Sequence, residues 1–362
     1  MTWKLTGVNT SGDAPTILVH EWVTGGGAAG AHVPGSWVAE GHAMRRAIAR
    51  DFAAIHGGRS RVIVTLDARL DDDPGPWEIR RIEGPHHSGR IVHMACEADF
   101  TVLVAPEAMG VLCDLTSCIQ DAGGRVLGSS PEAVDLAGDK LRLAGWLAER
   151  GIDTPSSRRV CPSLGLPTDA AYPAVLKPID GAGSVDTFII LGPEELPREA
   201  RALDSAILQP LYPGRSMSAS FLVDGRGKPW LIAIGEQHIQ LKQGRFEYRG
   251  GRLPVDAPVD VRPIRAAVES VPGLRGFVGA DFIWEDRTRH ATVLEINPRP
   301  TTSLVGLAGI LPPGHLAAAW IGAFEPGSLG ARLLPGLAEL VRALGPVSFS
   351  AAGVVSGGEC FE

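Results

Sequence analysis

The chain has 362 residues, 44% of them hydrophobic and 21% charged, with a formal net charge of −7. That length is too great for one small core and requires two or three lobes, while the acidic balance argues against a nucleic-acid binder. Five cysteines, at 96, 113, 118, 161 and 360, fit no zinc spacing. Cys113 and Cys118 could meet in space, but a small odd number of thiols favours the reduced state of the cytoplasm. Met1 to Gly7 lacks the apolar core of a signal segment, and no run of about 18 apolar residues is present. A soluble cytoplasmic protein with no membrane partner is therefore expected, a homodimer being the common default.

Thr16 to Glu21 is an apolar run that breaks into Gly25-Gly26-Gly27, the pattern of a buried strand feeding a glycine loop. Residues 36–55 place Val38, Met44, Ala47, Ile48 and Phe52 at helical spacing. Further buried strands are predicted at 61–67 and 100–107, with a helix at 109–120. Strand–helix alternation of this kind implies a parallel sheet covered on both faces. Gly25 to Gly30 lacks the GxGxxG spacing of a dinucleotide loop, which discounts a dehydrogenase. His20 and Glu21, at a strand end, read either as cap residues or as groups for a substrate amine. His86-His87 reads as a solvated turn.

Ser130-Pro131-Glu132 is a helix start, with a cap, a proline at the first position and an acid in the first turn. This helix is predicted to run to Arg150. Short strands follow at 174–178, 187–191, 206–211, 217–223, 229–235, 277–284 and 291–297, with helices at 260–271, 313–323 and 335–344. Arg245, Tyr248 and Arg249 read as a polar, solvated turn, the alternative being groups that recognise an acidic substrate. This half is α+β and largely antiparallel.

Chemistry concentrates in three places. Glu295 and Asn297 lie two apart on a predicted strand and so project together, with Val293 expected on the same face. Two oxygen ligands side by side suit a hard cation such as Mg²⁺, and Arg299 adds a fixed cation where phosphate charge would sit. Lys177 ends a buried strand just before Gly181-Ala182-Gly183-Ser184, a small-residue loop whose N–H groups can approach an anion. The bland alternative is a snorkelling lysine beside an ordinary hairpin turn. No segment reads GxxxxGK[ST]. Asp281 lies on a strand predicted to pair with 291–297. A metal shared by Asp281 and Glu295 requires that they oppose each other on one face. That register needs an odd loop centred on Thr288.

Lys177-Pro178 with Gly181-Ala182-Gly183-Ser184, then Asp281, then Glu295-Ile296-Asn297-Pro298-Arg299, resembles the ATP-grasp superfamily in order and spacing over about residues 130–310. The resemblance implies a parallel pre-ATP-grasp α/β domain at 1–128, a small lobe with the glycine loop at 129–208 and a large lobe with the metal site at 209–362. It implies an ATP-dependent carboxylate–amine or thiol ligase that works through an acyl phosphate, uses ATP and two Mg²⁺ ions, and takes small-molecule carboxylate and amine substrates. Lys140, by its own surroundings a solvated helix lysine, is implied to touch the phosphates with Lys177, while Gly181, Gly183 and Ser184 close over them. Gln209 and Leu211 match the hinge that reads the base. Asp281, Glu295 and Asn297 match the metal ligands, and Arg299 a group near the transferred phosphoryl. Many members have a glutamate where Pro210 stands and another acid near Ser216. Pro210 has no N–H, so base reading is expected to rest on the Leu211 N–H and backbone carbonyls, with Gln209 as a helper. The opening strand and glycine loop resemble a subgroup that includes tyramine–glutamate ligases of methanofuran-type cofactor synthesis. The alternative is a catalytically weak nucleotide-binding regulatory or scaffold subunit.

Overall fold

The computed structural model describes residues 14–31, 33–71, 74–84, 88–181 and 186–357. The predicted apolar runs become β1 (Thr16–Glu21), β2 (Arg61–Asp67) and β4 (Phe100–Val104), with β3 (Glu78–Ile82) added at one edge. They form a parallel sheet in the order β3-β2-β1-β4. β1 is buried almost throughout, as expected of a central strand covered on both faces. β3 escaped prediction because its sequence, EIRRI, is largely exposed and charged. Helices α1 (Gly35–Ala54), α2 (Ser88–Glu97) and α3 (Val111–Asp121) cover the sheet. Cys113 and Cys118 both lie on α3 and are free thiols, as are Cys96 and Cys161.

The single helix predicted from 131 to 150 is two, α4 (Pro131–Gly138) and α5 (Lys140–Ala148). Asp139 makes the break. Its backbone is extended, with φ −89° and ψ 101°, and its carboxylate accepts from the Leu141 and Arg142 N–H groups, both at 3.0 Å. An aspartate that caps the next turn competes with continuing the helix. The break places Lys140 at the head of α5.

Four strands, β5 (Arg158–Val160), β6 (Ala174–Pro178), β7 (Phe188–Ile190) and β8 (Ala206–Pro210), make the small-lobe sheet. Strands β9 (Arg215–Val223), β10 (Pro229–Lys242), β11 (Arg245–Leu253), β12 (Gly276–Glu285) and β13 (His290–Asn297) make the large-lobe sheet, with α6 (Arg262–Ser270) between β11 and β12. The strands run β13-β12-β9-β10-β11-β7-β6-β8-β5 as one sheet. The lobes meet at a single ladder pair, Arg245 opposite Phe188, flanked by the Ile189 N–H to the Gly244 carbonyl and the Phe246 N–H to the Thr187 carbonyl.

The chain closes with α7 (Ser303–Ile310), α8 (His315–Phe324), α9 (Leu329–Leu333), α10 (Leu337–Leu344), β14 (Val347–Ser350) and β15 (Val355–Ser356). α7 is buried nearly all round and shows no polar face, so no helical period marked it. Leu304, Leu307, Leu316 and Trp320 share one core with Ile48 and Phe52 of α1, which fixes the N-terminal domain on the large lobe. Ala133, Leu143 and Leu147 of α4 and α5 pack instead with Phe221 and Val293 on the back of the large-lobe sheet. Among the described residues no single helix is long and apolar enough to cross a membrane. The pair α7 and α8 passes on length and composition but is bent by 117° and sits in this core.

Candidate active site

A cavity of about 310 Å³ opens between the two lobes. Lys140, Lys177, Gly181, Gln209, Leu211, Asp281, Glu295, Asn297 and Arg299 all line it, so residues scattered over 160 positions of sequence converge. Gly183 and Ser184 lie outside the described residues, as do His86 and His87.

The β12–β13 hairpin sets the acids. Asp281 lies opposite Glu295 and Gly279 opposite Asn297, the register a shared ion requires. The register then shifts: Phe282 pairs with Val293, and Leu294 is the extra residue of a bulge. Glu285 pairs with His290, so the connecting loop is the even-numbered 286–289. The expectation of an odd loop is thus corrected. It assumed an unbroken ladder, and a bulge absorbs one residue without moving the acids apart. The same bulge corrects the assignment of Val293, which packs in the core with Ile296 while Leu294 faces the cavity with Glu295 and Asn297.

Asp281 Oδ1 accepts from Gln237 Nε2 at 3.0 Å and Oδ2 from Asn297 Nδ2 at 3.2 Å. Burial and the neighbouring Glu295 carboxylate push the Asp281 carboxyl well above its ordinary range. Burial acts on Glu295 in the same sense, but the ammoniums of Lys140 at 3.5 Å and Lys177 at 3.9 Å outweigh it and hold that carboxyl down. Two carboxyls that cannot both ionise comfortably, beside an amide oxygen, are a donor set that a hard divalent cation relieves. Asp281, Glu295 and Asn297 therefore fit Mg²⁺. Among the described residues no three His, Cys, Asp or Glu side chains gather as a closed metal cage. That suits an ion that keeps water and phosphate oxygens as ligands.

Lys140 is not a solvated helix lysine. Its side chain is 11% exposed, and its ammonium donates to the Gly181 carbonyl as well as facing Glu295. Desolvation lowers the Lys177 pKa, with Lys140 adding to it and Glu295 opposing. Arg299 is held from behind: its Nε donates to Glu107 Oε1 at 2.9 Å and its Nη1 to the Pro300 carbonyl at 3.2 Å. Burial works against the guanidinium charge, but Glu107 raises the Arg299 pKa overall.

The hinge differs from expectation. The Leu211 N–H donates to the Pro173 carbonyl at 3.0 Å, extending the β6–β8 ladder, and so is not free to read a base. Backbone groups alternate sides along a strand, so the Pro210 carbonyl and Tyr212 N–H point away from β6. β5 pairs with β8 only as far as Leu208 and does not reach them. These two groups are the acceptor and donor at the cavity wall. Gln209 Nε2 donates to Ser157 Oγ at 2.7 Å. Gly214, at φ 140°, turns the chain so tightly that a Cβ there would lie 2.6 Å from the Trp284 carbonyl oxygen.

His20 and Glu21 resolve toward the cap reading. Glu21 accepts from the Val23 N–H at 3.0 Å, the Thr24 N–H at 2.7 Å and the Thr24 hydroxyl at 2.6 Å, all within its own turn, and His20 Nδ1 lies 2.8 Å from Thr65 Oγ1. Arg245, Tyr248 and Arg249 are on strand β11, not in a turn. Tyr248 and Phe246 line the cavity, whereas Arg245 pairs with Asp186 and Arg249 with Glu247. Alternation along β11 separates the two sets.

Sequence reasoning missed Glu40, Glu107 and Gln237. Glu107 had a signal: it follows the carboxyl end of a parallel strand, where ligands of open α/β sheets bind. Glu40 had none, since one acid on an amphipathic helix reads as solvated.

An ATP-grasp domain model matches residues 137–303 and a pre-ATP-grasp domain model residues 60–134. The chain is 28% identical over 212 residues to a tyramine–L-glutamate ligase of Methanocaldococcus jannaschii, covering 58% of each chain. It is also 28% identical over 202 residues to a D-alanine–D-alanine ligase of Nitratidesulfovibrio vulgaris, covering 52% of this chain and 66% of that one. The match thus spans less than two thirds of the ligases named here. Among solved structures, an ATP-grasp superfamily protein from Archaeoglobus fulgidus superposes with a TM-score of 0.65 at 22% identity, over 85% of this chain and 88% of that one. A D-alanine–D-alanine ligase from Bacillus anthracis gives 0.59 at 15% identity, over 88% and 98%. With both domain models in tandem and two lobes closing on one cavity beneath a parallel domain, the chain belongs to the ATP-grasp superfamily.

Proposed function

We propose that the protein is an ATP-dependent carboxylate–amine ligase. The observation that carries this reading is the convergence of Lys140, Lys177 and Arg299 with Asp281, Glu295 and Asn297 on one interlobe cavity. Cations for phosphate and oxygen ligands for a divalent ion then share a space with room for a further substrate. The named ligases among the relatives support amide formation as the reaction class.

In this reading a substrate carboxylate oxygen attacks the γ-phosphorus, the bond to the ADP oxygen breaks, and ADP leaves with that electron pair. The amine nitrogen then attacks the acyl carbon, the carbon–oxygen bond to phosphate breaks, and the nitrogen loses a proton. Lys140 and Lys177 orient the phosphates, and Arg299, fixed by Glu107, faces the charge on the acyl phosphate. Asp281, Glu295 and Asn297 would hold Mg²⁺, which supplies charge neutralisation along the phosphate chain. The Pro210 carbonyl and Tyr212 N–H suit the amino edge of adenine, and no protein nucleophile is required.

Within that class, transfer of L-glutamate to an amine is the specific reaction favoured by the tyramine–L-glutamate ligase relatives; a place in one-carbon cofactor synthesis rests on the sequence resemblance alone. The test is ADP release with Mg²⁺ and a matrix of amino acids and amines. Turnover that needs both a carboxylate and an amine supports the ligase. Nucleotide binding without turnover for any pair would instead indicate a regulatory subunit.

A further inference from the structure

The end of the cavity nearest the N-terminal domain carries a charge that phosphoryl transfer leaves unused. Glu40, on α1, lines the cavity, and its Oε1 accepts from Thr302 Oγ1 at 2.7 Å. Tyr248 lines the same cavity, near enough to Glu40 and Thr302 to feel both.

None of the cations lining the cavity forms an ion pair with this carboxylate. Lys140 and Lys177 face Glu295, and Arg299 is paired with Glu107 while acting on Glu40 at longer range. Among the described residues Glu40 has no ion-pair partner, and its one hydrogen bond is to a neutral hydroxyl. Burial pushes the Tyr248 hydroxyl pKa far up, with Glu40 and Asp281 adding to it, so the phenol stays neutral. A carboxylate facing a shared cavity without an ion-pair partner attracts a positively charged ligand group and repels a second carboxylate.

We propose that Glu40, Thr302 and Tyr248 form the subsite for the substrate amine and bind it as an ammonium ion against the Glu40 carboxylate, to which the ammonium gives up one proton before the neutral nitrogen attacks. The proposal rests on the ligase reading of the same cavity and names the half of the reaction that the ATP-grasp machinery leaves open. Thr302 stands three residues after Arg299, so the two backbones lie at most about 11 Å apart. An amine held there is within reach of an acyl phosphate facing Arg299. Thr302 orients the carboxylate, and neither it nor Tyr248 supplies the charge.

The substitution that separates recognition from architecture is Glu40→Gln. The amide oxygen still accepts from Thr302, so the contact between α1 and the large lobe is kept, while the charge is lost. The full-length protein, saturated with Mg-ADP, is titrated by calorimetry with tyramine, phenethylamine and L-lysine, and with 2-phenylethanol as an uncharged isostere. Wild type is expected to bind at least one of the amines in clear preference to the alcohol. Glu40→Gln is expected to weaken that binding by about 10- to 100-fold, the loss of one hydrogen bond to a charged group, with ADP affinity and Tm unchanged. Equal amine binding by Glu40→Gln and wild type overturns the subsite, and so does a wild type that binds no amine better than the alcohol. Amine binding that depends on Glu40, with no ADP released for any added carboxylate, sinks the ligase reading and leaves the ammonium subsite standing.

Discussion

Arg299 donates its Nε to Glu107 Oε1 at 2.9 Å, and both side chains are largely buried, at 14% and 6% exposure. The arginine belongs to the strand end that follows Glu295 and Asn297, the glutamate to the parallel N-terminal domain. The N-terminal domain thus fixes the orientation of a cation in a cavity formed mainly by the other two lobes. Glu107→Gln keeps a hydrogen-bond acceptor but removes the charge. We expect kcat to fall about tenfold or more with little change in ATP affinity, because a misdirected guanidinium harms the transition state more than the bound ground state. Steady-state kinetics with ATP titrated separately checks this, and an equal loss in ATP affinity would count against it.

Glu295→Ala removes the carboxylate that both lysines face. Turnover should drop by about 10³-fold or more, the scale of losing a group that stabilises developing charge. Mg²⁺-dependent nucleotide binding should weaken while the circular dichroism spectrum stays that of the wild type. Unchanged turnover would exclude Glu295 as a metal ligand.

Ser216 lines the cavity, near the position where the ATP-grasp resemblance leads one to expect an acid. Ser216→Glu should tighten ATP binding by about five- to tenfold by accepting from ribose hydroxyls, roughly one charge-assisted hydrogen bond. The gain should vanish with a nucleotide lacking both ribose hydroxyls. Calorimetry with the two nucleotides separates a ribose contact from a general charge effect.

Asp51 accepts from the Gly314 and Ala317 N–H groups at 2.6 and 2.5 Å, at the start of α8. Burial raises its pKa from 3.8 to about 6 despite these two bonds. A folded value above the unfolded one means that the fold favours the protonated acid. That contribution is fully present below pH 3.8 and is lost as pH rises through about 6. The loss is on the order of 3 kcal/mol, at about 1.4 kcal/mol per pH unit. Urea unfolding at several pH values should show the stability of wild type relative to Asp51→Asn falling from pH 4 to pH 7. A difference independent of pH would refute the assignment.

The parallel sheet was legible because β1, β2 and β4 are near-continuous apolar runs, and the acid–amide strand because Glu295 and Asn297 sit on one face whatever the loop does. Local features that depend on a side chain meeting its neighbours were not. The bulge at Leu294 has no sequence mark, and it overturned an inference from loop parity while leaving the acids aligned. The Leu211 N–H looked available until Pro173 was seen opposite it. Asp139 broke a helix that its flanking apolar residues continue. Tyr248 sits in a strand whose polar residues resemble a turn, because one face of that strand meets solvent and the other a polar cavity. Glu40 and Glu107 come from a domain whose contact with the cavity only the tertiary fold creates.

Among the described residues, one ladder pair, Arg245 with Phe188, and its two flanking hydrogen bonds are the sheet pairing recorded between the small lobe and the large one. Net of solvent such bonds are worth about 1 kcal/mol each, so this seam is a weak weld between two stiff plates. The seam by itself therefore adds little to holding the plates in one relative orientation. A ligand touching both plates would add adhesion that the sheet supplies only sparingly.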